Sequence, residues 1–253
     1  MRVIRAFTGD DGTALVHLHN ISGGVLGGDH LVVEAELGPN ARALLTTTGA
    51  TRVYRQRSDQ TEAVQTTCFV VRQGALLEYL PDPLIPFADA RYRQTTRIEL
   101  GPDAGLFYWE IVTPGREARG EMFQYAALRL DVDILAAARP IAVERVQLEP
   151  AQRPLASLAR LGPYRYYATF YICRVGLPPA PWLALEAQLT ELAHSLTELG
   201  EVTWGVSTLA AHGLVVRGAS RTNRRLAPQL PCFWQLAKKA LYAAEAVLPR
   251  KIY

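Results

Sequence analysis

RYRQTTRIELGPDAGLFYWEIV, residues 91–112, sets an alternating run and an apolar, aromatic-rich run on either side of a Gly101-Pro102-Asp103-Ala104 turn. A period of two over 91–100 predicts a strand, and the aromatic and β-branched content of 105–112 predicts a second. The same texture extends outward from this stretch. TALVHLHN (13–20), HLVVEAEL (30–37), ARALLTTT (41–48), AVQTTCFVVR (63–72), ALLEYL (75–80), MFQYAALRLDVD (122–133) and IAVERVQL (141–148) are further short runs punctuated by glycine, proline and aspartate. Helix signals are nearly absent up to Leu148. So many short strands without amphipathic helices between them argue against a doubly wound parallel sheet and for a layered antiparallel or solenoid-like β core.

A faint repeat accompanies the strands. Gly38-Pro39-Asn40-Ala41, Gly74-Ala75 and Gly101-Pro102-Asp103-Ala104 each open a strand-like run, with glycine starts 36 and 27 residues apart. Spacing that unequal falls short of a repeat family, and recurrent use of good turn formers accounts for it equally well.

After Pro150 the texture changes. Between Pro181 and about Leu199, Leu185, Leu189, Leu192, Leu196 and Leu199 recur at helical spacing, with Gly200 placed for a C-terminal cap. A second helix is predicted from Pro231 to Val247, with Phe233, Ala237, Leu241 and Ala244 on one face and Pro249 ending it. EVTWGVSTL (201–209) and HGLVVRG (212–218) read as strands between them. No linker separates the halves. The expectation is one domain over 1–253, mainly β with a few helices, β-rich over 1–150 and mixed over 151–253.

The 253 residues are 49% hydrophobic and 20% charged, which excludes disordered and low-complexity classes. Against 24 acidic residues stand 27 basic ones; a net charge of +3 advertises neither nucleic acid nor an anionic membrane as partner. Arginine supplies nearly all the positive charge, lysine occurring only at Lys238, Lys239 and Lys251. From Gly213 onward the basic residues concentrate, Arg217, Arg221, Arg224 and Arg225 among them. Cys68, Cys173 and Cys232 are odd in number and far apart, which argues for a reducing compartment over a disulfide framework. No apolar run suits a signal peptide or a spanning helix, so a cytoplasmic location is expected.

Gly23-Gly24-Val25-Leu26-Gly27-Gly28-Asp29 invites a phosphate-loop reading, yet it leads into the alternating run HLVVEAEL and lacks the helix N-terminus such loops need. A tight strand connection, with Asp29 accepting backbone hydrogen bonds, is the better reading. No Gly-x-Ser-x-Gly elbow links a serine to a histidine. His17 and His19 point to one face of a strand and make a β-rich metal-dependent hydrolase the alternative function; neither HExxH nor a finger spacing accompanies them, so no metal site of high affinity is expected. Tyr164, Tyr166, Tyr167 and Trp204 would carry a carbohydrate-binding reading and are more simply strand packing. Glu78 and Glu110 each sit inside an apolar run, where a carboxylate either faces solvent or is buried with partners.

Several ordered motifs resemble the UreD (UreH) family of urease accessory proteins. Asn20 to Asp29 is similar to its GG…GD signature, carried by Gly23, Gly24 and Gly28, and Thr46 to Tyr54 to its TT-x-A-x-T-[KR]-VY run. Leu77 to Phe87, with Pro81 and Pro83, resembles its LEYLPxPxIPF segment. Trp109-Glu110-Ile111 followed by Gly115-Arg116 and Gly120-Glu121-Met122-Phe123 resembles its WE…GR…GExF segment. Gly213 to Arg217 and the closing Leu248-Pro249-Arg250-Lys251 complete a likeness over nearly the whole chain. The resemblance implies a β-rich fold without enzymatic activity. It implies a scaffold that binds apo-urease with UreF and UreG while the dinickel centre is assembled. It also implies that no cofactor is permanently bound and that nickel is in transit along an internal polar path. Asp29, Thr47, Thr51, Glu78, Glu110 and Glu121 are the candidates for that path. Arg221, Arg224 and Arg225, together with the leucine-striped helix, are the candidates for docking UreF.

Overall fold

A computed structural model of the chain describes residues 2–9, 11–57 and 59–248. The closing Pro249, Arg250 and Lys251 of the sequence reading lie outside the described residues. The chain begins with an antiparallel hairpin, β1 (Arg2–Thr8) and β2 (Ala14–His19). It then alternates between two sheets. β3 (His30–Leu37) lies in the second sheet, β4 (Arg42–Thr47) and β5 (Thr51–Val53) in the first, and β6 (Ala63–Val71) in the second. β7 (Leu76–Tyr79) and β8 (Leu84–Pro86) return to the first, β9 (Arg91–Leu100) crosses, β10 (Gly105–Val112) returns and β11 (Ala127–Ala136) crosses. Each arrival pairs in parallel with the previous one: β2, β4, β7 and β10 on one side, β3, β6, β9 and β11 on the other. This is the solenoid-like layering expected from the sequence, a coil that advances by one strand per turn.

The faint repeat marks the same corner of successive turns. Asn40, Gly74 and Asp103 all have positive φ, at 58°, 66° and 54°. The Asn40 N–H donates to the Gln73 carbonyl and the Gly74 N–H to the Pro102 carbonyl, each at 2.9 Å, so the corners stack. Glycine is required at 74 twice over, since a Cβ there would meet Asn40 Oδ1 at 2.3 Å. Asparagine and aspartate tolerate the left-handed region at the other two corners.

The coil ends with reversals. β12 (Arg139–Leu148) folds back antiparallel on β11, and β13 (Tyr166–Arg174) rejoins the first sheet antiparallel to β10. α1 (Pro179–Leu196), β14 (Val202–Thr208), β15 (Gly213–Ser220), the single turn α2 (Asn223–Leu226) and α3 (Leu230–Tyr242) follow. Strand order in the first sheet is β1-β2-β4-β7-β10-β13-β15-β14, and in the second β12-β11-β9-β6-β3. β13 was not predicted. Its apolar run, buried on both faces, lacks the alternation that marks half-buried strands.

Both predicted helices end early. α1 stops at Leu196 because Thr197 turns extended, its hydroxyl donating to the Ala193 carbonyl at 2.8 Å; Gly200 serves the following turn instead of the cap. α3 stops at Tyr242 because Ala243 is left-handed and the Arg174 guanidinium takes the Leu241 carbonyl. The strand predicted over 122–133 begins only at Ala127, since Phe123 is left-handed at φ 54°.

Three apolar clusters hold the layers together. One lies between the first sheet and the helices, where Leu185 and Leu189 of the leucine stripe are buried with Phe233, Trp234 and Trp204. The other two lie between the sheets at opposite ends of the strands, around Phe69, Ile98 and Tyr108 and around Tyr92, Leu128 and Val112. A polar band separates them.

Candidate functional site

That band is made by strand register. Gln65 of β6 pairs beside Gln94 of β9, and Thr67 beside Thr96, so two Gln-Thr-Thr tripeptides lie against each other in parallel. Gln65, Thr67 and Thr96 are buried between the sheets. Facing them on the first sheet, a row crosses the strands. Thr47 at the end of β4 holds Asp82 beyond β7; Glu110 of β10 pairs with Thr169 of β13, and Thr169 with Arg217 of β15. Four strand spacings of about 4.8 Å make this row about 19 Å long.

Each member is held by neighbours. The Thr47 hydroxyl donates to Asp82 Oδ2 at 2.9 Å and accepts the Asp82 N–H at 2.8 Å. Tyr108 OH and Gln94 Nε2 both donate to Glu110 Oε1, and Tyr92 OH donates to Gln94 Oε1 at 3.1 Å. A cavity of ≈ 30 Å³ lies among Thr47, Thr51, Gln65, Asp82, Gln94 and Glu110, the volume of about one water molecule. Thr47 and Thr51 also line an outer cavity of ≈ 160 Å³ beside the Gly23-Gly24 connection. Beyond the other end of the row, Tyr171 OH donates to Glu144 Oε2, which Arg217 Nη2 reaches at 3.3 Å.

The electrostatics follow from the setting. Burial pushes the Glu110 carboxyl up to about 7, with the Glu144 charge adding to the rise and the Tyr108 and Gln94 hydrogen bonds opposing it. Glu110 thus sits between its charged and neutral forms near neutrality. The Tyr108 hydroxyl is pushed far above the ordinary tyrosine range by burial and by Glu110, and stays protonated as a donor. Two buried oxygens here, Gln65 Oε1 and Tyr167 OH, have no protein partner. Orphans of this kind are rare in a packed interior and suit a site that takes water or an ion. The donor set is oxygen throughout, from carboxylates, hydroxyls and amides, which holds a divalent cation loosely compared with imidazole or thiolate.

Of the six residues expected on a path, the fold brings Thr47, Thr51 and Glu110 together and puts three elsewhere. Glu78 faces the helical layer, 1% exposed, bonded to Lys238 Nζ at 2.7 Å and Trp234 Nε1 at 2.6 Å. Burial raises its carboxyl, and the ammonium partner pulls against that. Asp29 accepts the Leu26 N–H at 2.9 Å within the tight connection read from the sequence, where Gly23 and Gly28 have positive φ and Gly24 lies against Tyr54. Glu121 is bound by Arg116, whose Nε donates to Oε2 at 2.7 Å while its guanidinium lies over Phe87. That clamp shapes the Gly115-to-Gly120 loop. Pro81 and Pro83 act through their carbonyls, which accept Trp109 Nε1 and the Thr51 N–H, both at 2.9 Å.

Asp82, Gln65, Gln94 and Thr169 were not among the path candidates read from the sequence. The signal for two of them was present: Gln-Thr-Thr recurs at 65–67 and 94–96, the spacing by which the stacked corners Gly74 and Asp103 are also separated. Of the docking candidates, Arg221 faces Glu201 at 3.9 Å, Arg225 pairs with Glu198 at 3.1 Å, and Arg224 is exposed on α2. The leucine stripe is not free to join them as expected, because Leu185 and Leu189 are spent on the core and Leu199 lies beyond the helix. His17 and His19 are both half-buried on β2, and among the described residues no group of three ligand-type side chains converges that could hold a metal. Tyr166 and Trp204 of the aromatic cluster are buried in the core.

The fold and the row together define a two-layer β coil with a polar band between its sheets. A family model described as UreD urease accessory protein matches residues 1–252, and the chain belongs to that family. The urease accessory protein UreD of Herpetosiphon aurantiacus is 50% identical over 253 residues, 100% of this chain and 88% of the relative. That of Dechloromonas aromatica is 32% identical over 90% of this chain and 76% of the relative, and that of an Arthrobacter species 29% identical over 99% and 85%. Among the described residues no helix is long and apolar enough to cross a membrane.

Proposed function

We propose that this protein, whose family gives it a part in urease maturation, is a non-catalytic scaffold that binds the urease structural subunits with UreF and UreG and passes nickel along its inter-sheet row. The observation that carries the reading is the run of Thr47, Asp82, Glu110 and Thr169 across four neighbouring strands, beside two buried oxygens without partners. Carboxylate and hydroxyl oxygens at modest density bind a hydrated divalent cation and release it again. Glu110 releases its proton as a cation arrives and recovers it as the cation leaves. Of the residues first considered for the path, Thr47, Thr51 and Glu110 remain, with Asp82 added.

Co-expression of the urease subunits with the accessory proteins tests this. Asp82→Asn with Glu110→Gln should slow nickel loading of urease at least tenfold while leaving the accessory complex intact in a pull-down. Unchanged loading removes the row from the path. Fully loaded, active urease in cells lacking this chain overturns the scaffold role itself. Reversing the charge of Arg221, Arg224 and Arg225 should weaken capture of UreF, and undiminished capture rejects that placement.

A further inference from the structure

The two sheets are unequal in width. β13, β15 and β14 extend the first sheet past β12, the last strand of the second, so the inner face of the extension opens into a cleft of ≈ 610 Å³. One wall is β12 itself over Glu144 to Leu148, and the floor carries Thr169, Trp204, Gly205 and Gly218. The far edge of β12 has no strand partner among the described residues. Such an edge is a template for a further strand.

The cleft is basic. The Arg160 and Arg217 side chains line it against one carboxylate, Glu144, while Arg145 lines it from β12 with its guanidinium turned to the outer face. Arg145 is held by both Asp133 oxygens, at 2.7 and 2.9 Å. Arg160 meets the Pro154 carbonyl at 3.0 Å, and Arg217 meets Glu144 at 3.3 Å while its side chain stays 55% exposed. A long, half-exposed ion pair contributes little and is easily exchanged for a better one.

We infer that this cleft receives an acidic, extended segment of a partner protein, which adds to β12 as a strand and takes the Arg217 guanidinium from Glu144. Gly205, whose Cβ position is open space, leaves room on the floor for its inward side chains. Because Arg217 stands at the end of the polar row, docking there would also withdraw a positive charge from that end and free a Glu144 oxygen. This consequence rests on the path reading; the docking does not.

The test uses the full chain without metal and a labelled, capped hexapeptide alternating valine and glutamate, read by fluorescence anisotropy. The acidic peptide should bind, and its valine-lysine counterpart should not. Arg160→Ala with Arg217→Ala should weaken binding at least tenfold, and Glu144→Gln, which releases Arg217, should tighten it severalfold. N-methylation of alternate peptide nitrogens should abolish it. Unaltered thermal midpoints would show that the variants fold. Equal binding of both peptides, indifference to these substitutions, or indifference to N-methylation overturns the proposal. So does a dimer in sedimentation that the double arginine variant disperses, since the occupant would then be a second copy. Nickel-loading defects in the row variants with intact peptide binding would separate failure of one reading from failure of the other.

Discussion

Replacing Glu110 by glutamine tests whether its carboxyl is as desolvated as its burial implies. The carboxyl is raised from 4.5 to about 7, foremost by burial. A carboxyl whose folded value is raised stabilises the fold fully below the unfolded value, and that contribution is lost as pH rises through the folded one. Between pH 5 and pH 8 the loss works out at about 2.5 kcal/mol, since at pH 5 a part has already gone and by pH 8 the folded group is ionised. For a chain of this size, that is a fall in Tm of about 5–10 °C. Glu110→Gln keeps an acceptor for Tyr108 and Gln94 but cannot ionise, so its stability should be flatter over this interval by that amount. Urea denaturation of both proteins at pH 5, 6, 7 and 8 measures the difference. Parallel curves, with no excess loss in the parent above pH 6, would refute the reasoning, because they would mean that water already solvates the carboxylate.

Three further outcomes follow from particular contacts. Lys238→Met strands the buried Glu78 carboxylate and should cost about 3–5 kcal/mol, much of it recovered when Glu78→Gln is added; chemical denaturation of the single and double variants checks it. Gly74→Ala should cost about 1–3 kcal/mol through its positive φ and its clash with Asn40, with Asn40→Gly relieving the steric part; thermal unfolding reads both. Gln65→Leu removes an oxygen without a partner and should raise stability by about 1–2 kcal/mol, while slowing nickel loading of urease. A Gln65→Leu protein that is more stable and loads urease at the parent rate would mean that the band is mere imperfect packing.

The β architecture was legible because alternation is a local property: HLVVEAEL, RYRQTTRIEL and GLFYWEIV became β3, β9 and β10 with the expected bounds. Turn chemistry was legible in part. Gly-Pro-Asn and Gly-Pro-Asp announced corners, while their stacking depends on pairings between residues about thirty positions apart. The site was the least legible. Glu78 and Glu110 look alike in sequence, each one charge within an apolar strand, yet they face opposite sides of one sheet. Which side is polar depends on what packs there: α3 brings Lys238 and Trp234 to Glu78, and β9 brings Gln94 to Glu110. Asp82 was not taken as a path residue because its partner, Thr47, is 35 residues away. Helix ends were overrun because the leucine period continues past Leu196, whereas Thr197 spends its hydroxyl on the preceding turn.

The stacked corners also act as a ruler. Gln65 lies nine residues before Gly74, and Gln94 nine before Asp103, so the arm between polar tripeptide and corner has one length in both turns of the coil. The neighbouring turns place Leu31 of β3 beside Gln65 and Leu130 of β11 beside Gln94. On the second sheet the wetting chemistry is thus two turns wide and sealed by leucine at either margin. Variation in chain length is therefore harmless at the opposite corner, where the excursion between β4 and β6 already absorbs extra residues. A single residue added between Gln94 and Asp103 would put a neighbour of opposite facing in the band and break its continuity.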